Sequence, residues 1–208
     1  MIHINRVAGQ DLGRIAALSD GIFAFAMTVL VAEIYIPGSA GIHSEAELWA
    51  GLAALAPRIV TWLMSLMTLG ICWVSQQTLL NQLARADRDF SWLSFVYLAI
   101  MTVLPFSTRL LAGFITYQAA FLIYWFNILL CGVGIIACLI YAERAGLIKA
   151  DAPEDFARAF KRRILIAQTL YAFGAALGLI SIPLGRGFIV LVQLNYAAAP
   201  RLPLLWKI

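Results

Sequence analysis

The sequence predicts an all-helical membrane protein with six transmembrane helices. Of its 208 residues, 62% are hydrophobic and only 12% are charged, whereas a soluble domain carries roughly 25% charged residues. Its mean hydropathy is +0.87. The apolar residues form long runs, and a run of about 20 such residues is enough to cross the hydrocarbon core of a bilayer. A soluble fold could not bury this much apolar surface.

Six spans are predicted from these runs, at roughly 14–36, 50–77, 91–112, 118–142, 162–182 and 184–200. Together they make residues 1–208 one six-helix transmembrane domain. The group Pro183, Gly185, Arg186 and Gly187 interrupts the last apolar stretch, so it predicts a tight hairpin between two short spans. In the connection 143–161, Asp151 is predicted to cap a helix that has proline just inside it and runs into the fifth span.

The positions of lysine and arginine predict the orientation, because cytoplasmic loops retain positive charge during membrane insertion. If the N-terminus is inside, twelve of the 15 lysines and arginines are cytoplasmic and only Arg58, Arg109 and Arg186 lie outside. We therefore expect a multi-pass protein of the cell membrane with both termini in the cytoplasm. The inner set is Arg6, Arg14, Arg85, Arg88, Arg144, Lys149, Arg158, Lys161, Arg162, Arg163, Arg201 and Lys207.

The net charge of +4 points to membrane lipids rather than to nucleic acid. The basic run 161–163 directly adjoins an apolar segment, where phospholipid headgroups would meet it. Nucleic acid is therefore not an expected partner.

Neither catalytic nor metal chemistry is expected from the motifs. The cysteines Cys72, Cys131 and Cys138 fall within apolar runs and lack the paired spacing of a zinc site. His3 and His43 are separated in the predicted topology, so they share no metal. We expect no enzyme activity, no metal and no cofactor.

Two ionisable residues at the start of the first span need an explanation, because charge inside a membrane is costly. Arg14 and Asp20 are six residues apart, which is too far for a helical pair. They could form a polar clamp with other helices. Alternatively, Arg14 is an ordinary cytoplasmic anchor and Asp20 a residue of the helix start.

Further along the same span, Gly21, Phe25, Thr28 and Ala32 recur at intervals of three and four residues and so share one helix face. This face combines small residues, one hydroxyl and one large ring. It could line a pathway through the membrane, or it could be a helix-packing face.

The first three spans resemble the transmembrane protein 175 family of potassium channels. Its arginine-xxx-phenylalanine-serine-aspartate signature is similar to Arg14, Leu18, Ser19 and Asp20. Trp73 in the second span and the run Leu104-Pro105-Phe106-Ser107-Thr108 in the third also match the family. One six-helix repeat with both termini inside agrees with this resemblance.

The resemblance implies a homotetramer with the four first helices around a central pore and K⁺ as the permeant ion. The family's apolar constriction falls on Phe25, followed by Thr28 and then by Ala32 toward the outside. Arg14, Ser19 and Asp20 would then tie the first helix to its neighbours as a clamp. Their possible network partners are Trp73, Gln76, Gln77 and Ser94.

Four departures from the family pattern define the alternatives, one of which is Ser94 in place of an asparagine early in the third span. Leu18 replaces the signature phenylalanine, and Gln76 and Gln77 stand where histidine is usual. Phe25 replaces an aliphatic residue at the constriction, and rings there could close a pore by dewetting. The leading hypothesis is a potassium-selective or cation-conducting channel with some proton permeability. A non-conducting or differently selective channel-like protein is the alternative, and a secondary transporter ranks below both.

Overall fold

The computed structural model describes residues 9–35 and 41–198, and within these ranges the backbone is helical with no strand. The predicted cytoplasmic termini, the last residues of the sixth predicted span and part of the first outer loop lie outside the described residues. The helices are α1 (Leu12–Leu30), α2 (Glu45–Ala53), α3 (Ala56–Asn81), α4 (Arg88–Thr102), α5 (Leu104–Gly113), α6 (Gln118–Arg144), α7 (Phe156–Ile180) and α8 (Ile182–Ala198).

Helix α1 begins at an aspartate cap. Asp11 Oδ1 accepts hydrogen bonds from the backbone N–H of Gly13 at 2.8 Å and of Arg14 at 3.2 Å. This arrangement satisfies two of the amide groups that have no partner within the helix. At its other end α1 continues as a short 3₁₀ helix, Val31–Glu33.

The second predicted span is divided into two helices. Ser44 caps α2 by accepting from the backbone N–H of Glu47 at 3.2 Å, and the Glu47 carboxylate accepts from the backbone N–H of His43 at 2.7 Å. The chain leaves α2 after Ala53, and the membrane-length helix α3 begins at Ala56 with a proline in its first turn. The prediction that one helix begins at residue 50 is therefore wrong.

The third predicted span is also interrupted. Helix α4 ends at Thr102 and α5 starts at Leu104, immediately before Pro105. Proline has no N–H to donate to the preceding turn, and its ring clashes there. The two helices together still cover Arg88–Gly113, a length sufficient to cross a membrane.

The helix that enters the fifth span begins later than predicted. Asp155, not Asp151, occupies the N-cap of α7, and its side chain makes no capping hydrogen bond. The preceding proline at 153 lies outside the helix. From Phe156 the helix runs through the basic run 161–163 without a break, and Lys161 forms an ion pair with Glu143 at the end of α6.

The hairpin between α7 and α8 turns earlier in the chain than predicted. The break falls at Ser181, and the group from Pro183 to Gly187 is helical. Proline is well tolerated here because the first turn of a helix needs no intrahelical N–H donor. The two helices pack backbone to backbone, since a Cβ on Gly185 would lie 2.6 Å from the Cα of Gly178.

The helices pack into one bundle. Helix α6 contacts α3, α4, α5 and α7, whereas α1 packs against α3, α4 and α5. In the described chain, five helical segments are long and apolar enough to cross a membrane. Helix α8 has 17 residues, at the lower limit for a spanning helix. The chain is therefore a multi-pass membrane protein.

Candidate functional site

Helix α1 has two distinct faces. The residues that it buries against its own bundle are Ile15, Ser19, Phe23, Ala26 and Leu30. The opposite face is exposed along its length, and a Cβ on Gly21 would meet no atom within 4 Å. One face therefore packs inside the subunit, while none of the described residues covers the other.

The predicted stripe coincides with this uncovered face. Phe25 is 71% exposed, and Thr28 and Ala32 are also exposed. The Thr28 hydroxyl donates to the carbonyl of Ala24 at 2.8 Å, which leaves the lone pairs of its oxygen available as acceptors. The three residues predicted to line a pore thus lie on one surface of the subunit.

Asp20 is held by two side chains of α3. Its Oδ1 accepts from Trp73 Nε1 at 2.8 Å and from Gln77 Nε2 at 2.7 Å. Hydrogen bonds to an ionised acceptor are stronger than those between neutral groups. Asp20 is nevertheless exposed at the subunit surface. These two bonds fix the height and rotation of α1 relative to α3.

Ser19 makes the next link between the same helices, in the interior of the bundle. Its hydroxyl donates to Gln76 Oε1 at 2.6 Å. Ser19 is 0% exposed and Gln76 is 2% exposed, so this bond is shielded from any solvent. Consecutive residues of α1 therefore engage three polar side chains within one turn of α3.

Arg14 and Ser94 do not join this network. Among the described residues, the Arg14 guanidinium makes no hydrogen bond or ion pair. Ser94 is buried on α4 and lies beside Cys138 of α6. Of the predicted network, the structure brings together Ser19, Asp20, Trp73, Gln76 and Gln77.

The other end of α1 carries charged residues that pair loosely with neighbouring helices. Glu33 is buried at 8% exposure, with its Oε2 lying 4.0 Å from Arg109 Nε. Arg58 lies over the ring of Tyr35, 4.3 Å from its centroid. The Arg109 side chain is largely exposed, so its charged end remains solvated while it pairs with the buried Glu33.

A second buried polar cluster was missed by the sequence analysis. Thr108 Oγ1 donates to Ser65 Oγ at 2.7 Å, which lies 3.2 Å from the Tyr124 hydroxyl. Gln193 Nε2 donates to Thr68 Oγ1 at 2.7 Å. A helical spacing of hydroxyls on α3, at residues 61, 65 and 68, was the signal available in the sequence.

Comparison with known families gives a match over a segment that contains α3 and nearly all of α1. A family described as the endosomal/lysosomal potassium channel TMEM175 matches residues 14–105. This range includes every side chain of the Asp20 and Ser19 network.

Individual relatives extend the similarity over nearly the whole chain. A potassium channel of Streptomyces collinus is 28% identical, covering 90% of this chain and 92% of the relative. A potassium channel of Chamaesiphon minutus is 34% identical over 53% of this chain and 54% of its own length. The human endosomal/lysosomal proton channel TMEM175 is 27% identical over 49% of this chain, which corresponds to 21% of the human protein.

A solved structure shares the fold. The crystal structure of a lysosomal potassium-selective channel TMEM175 homolog from Chamaesiphon minutus superposes with a TM-score of 0.77 and 26% sequence identity. The match covers 92% of this chain and 98% of that chain. The similarity therefore includes α6, α7 and α8 as well as the first helices.

Proposed function

We propose that the chain is a member of the TMEM175 family and, like the potassium channels that it resembles, a cation channel that conducts K⁺ rather than an enzyme. In this proposal four copies form a homotetramer, and the four α1 helices surround the pore. K⁺ is the ion conducted, and no further cofactor takes part.

The exposure of Asp20 is the observation that carries this proposal. Asp20 lies eight residues into α1, about 12 Å along the helix at 1.5 Å per residue. A carboxylate facing lipid at that depth would be costly. A second copy of the chain, or a water-filled vestibule between copies, provides the polar surroundings that this side of α1 requires.

In the proposed tetramer the exposed stripe of α1 lines the pore. Phe25 forms a hydrophobic constriction, because four large rings at one level narrow a pore and favour its dewetting. Thr28 and Ala32 form the next levels toward the outside. The bonds from Ser19 and Asp20 to α3 support this role, since they hold α1 at one rotation about its axis.

We also propose six spans with both termini in the cytoplasm of a cell-membrane protein. The described basic residues support this orientation. Nine lie at the end of the bundle that contains the α3–α4 and α6–α7 connections, and only Arg58, Arg109 and Arg186 lie at the other. The two basic connections are joined directly, because the backbone N–H of Ala84 donates to the carbonyl of Leu147 at 2.8 Å.

Proton permeation is part of this proposal, because a narrow wetted pore that passes K⁺ also accommodates a chain of water molecules.

The alternative, a non-conducting or differently selective protein, is favoured by the size of Phe25. In that case four rings would close the α1 bundle permanently.

Ion flux into liposomes tests the proposal. Purified protein is expected to pass K⁺ down its gradient, and Phe25→Ala is expected to increase the flux several-fold by widening the constriction. Leu165→Ala, at an exposed position on α7, is the control and should leave the flux unchanged. K⁺ flux only after Phe25→Ala would support the non-conducting alternative. Absence of flux from both proteins would exclude the channel proposal.

A further inference from the structure

A narrow crevice of about 50 Å³ lies inside the bundle between α3, α6 and α7. Its lining includes the polar side chains of Thr68, Gln168 and Tyr171, together with the thiol of Cys131. At one end it reaches Arg163 and Tyr196, which also line a broad surface groove of about 880 Å³. The crevice therefore opens toward the end of the bundle that we assign to the cytoplasm.

Gln168 is accommodated against α6 only because residue 132 is glycine. A Cβ on Gly132 would lie 2.0 Å from Gln168 Nε2. In this position Nε2 donates to the carbonyl of Ile128 at 3.2 Å. Gln168 Oε1 is shielded, and within the described residues it accepts no hydrogen bond. An unsatisfied buried acceptor is destabilising and requires a partner.

A second unsatisfied oxygen belongs to Gln193, which is hydrogen-bonded to Thr68. Gln193 is 0% exposed, and its Nε2 donates to Thr68 Oγ1 at 2.7 Å. Its Oε1 has no partner among the described side and main chains. Thr68 thus connects the crevice with the buried hydroxyl cluster of Ser65, Tyr124 and Thr108.

We propose that this crevice is a water-binding site, in which water donates to Gln168 Oε1 and bonds to the hydroxyl groups of the lining. A buried water occupies roughly 10–15 Å³ of accessible space and needs two to four polar partners. The crevice has room for about three waters by that measure and supplies both acceptors and hydroxyls. A lipid chain could not donate a hydrogen bond to the carboxamide oxygen, and a larger polar molecule would not fit.

This site is separate from the α1 face proposed to line the pore. It lies within one subunit, and it meets the surface groove between α3 and α7, beside Arg163 and Tyr196. Its existence does not depend on whether the chain conducts ions.

Two native cysteines allow a direct test with Ag⁺ as a small water-borne probe. Cys131 lines the crevice and Cys138 does not, although they lie on the same helix with exposures of 1% and 2%. Ag⁺ replaces the thiol proton, forming an S–Ag bond and releasing H⁺. Thiols still free are then alkylated with N-ethylmaleimide after denaturation and counted by peptide mass spectrometry.

Cys131 is expected to react about tenfold faster than Cys138, because aqueous access limits the reaction of buried thiols. The comparison is stringent, since Cys138 lies two turns closer to the end of α6 at which water would enter. Equal rates, or faster reaction of Cys138, would overturn the proposal.

Gln168→Leu supplies a second test, because it removes the acceptor that holds water and keeps a side chain of similar size. We expect slower reaction of Cys131 and no change at Cys138. Thr169→Val, the next residue on the exposed side of α7, is the matched control. An unchanged Cys131 rate in folded Gln168→Leu protein would contradict the assignment. If that variant does not fold, the comparison of Cys131 with Cys138 in the wild type decides alone.

Discussion

At the scale of single residues, Asp20 is hydrogen-bonded within its own subunit and yet exposed at the subunit surface. Its Oδ1 is satisfied by Trp73 and Gln77, but the side chain faces outward. The neighbouring Ser19 faces inward and is fully buried. These adjacent residues are about 100° apart around the helix axis, and both reach α3. Through this geometry the serine-aspartate pair holds α1 against α3.

Removing the Asp20 carboxylate should weaken the contact between α1 and α3. Asp20→Ala leaves Trp73 Nε1 and Gln77 Nε2 without their acceptor, which costs roughly 1–3 kcal/mol. We expect a lower thermal unfolding midpoint of the purified protein, with a loss of K⁺ flux. Asp89→Ala removes an exposed acid from the first turn of α4 and should have a small effect. Equal destabilisation by both variants would argue against a role of Asp20 in holding α1 against α3.

At this scale, five of the seven polar residues that the resemblance grouped are joined by hydrogen bonds in the structure. Motif resemblance identified Ser19, Asp20, Trp73, Gln76 and Gln77, because short polar signatures preserve residue type and spacing. It could not determine that Ser94 pairs elsewhere, since that depends on the rotation of α4. The hydroxyl cluster around Tyr124 was missed because isolated serines and threonines in apolar runs resemble ordinary helix residues.

At the scale of helices, close backbone approach defines the packing of α7 on its neighbours. Gly178 lies against Phe121 of α6, where a Cβ would be 2.1 Å from the ring. Gly185 of α8 lies against Gly178 and the carbonyl of Gly174. Small residues allow such contacts between membrane helices, where van der Waals packing drives association.

A methyl group at Gly185 should therefore separate α7 from α8. Gly185→Ala would place Cβ 2.6 Å from the backbone of Gly178. Neither backbone can move away without separating the two helices. We expect a markedly lower unfolding midpoint and less folded protein on gel filtration. Gly187→Ala is the matched control on the same helix, because its Cβ would meet no atom within 4 Å. A loss of stability in the control as large as in Gly185→Ala would refute this explanation.

The lengths of the apolar runs predicted that these helices exist, but they did not predict where the helices end. Proline predicted an interruption near residue 183, but proline in a first turn is compatible with a helix, and the chain turns at Ser181. The break before Pro105 and the separate α2 were not predicted. Hydropathy averages over such features, because a kinked and a straight span contain the same apolar residues.

At the scale of the whole molecule, the proposed function requires other copies of the chain around α1. The α1 stripe with Phe25 is exposed in the subunit, although α1 contains the segment that resembles the family signature. A pore on a symmetry axis brings equivalent residues of neighbouring copies together, so it can be detected only between subunits. Sequence periodicity showed which residues share this face. It could not show what covers them, because a lipid-facing stripe and a pore-lining stripe have the same spacing.

Oxidative cross-linking distinguishes these two environments. With Phe25→Cys, the proposed tetramer brings the four new thiols together at the constriction. Copper phenanthroline with O₂ should then oxidise pairs of them to disulfides, giving a covalent dimer on a non-reducing gel.

Leu165→Cys is the comparison, because Leu165 is 57% exposed but lies on α7, which is not among the helices packed extensively against α1. It should remain monomeric under the same oxidation, as should the wild type with its native thiols. Cross-linking of Phe25→Cys alone would show that α1 faces its own copies. If both variants form dimers equally, random collision in the membrane explains the product. If neither does, α1 faces lipid, and the exposed Asp20 must then be satisfied by water from the cytoplasmic interface.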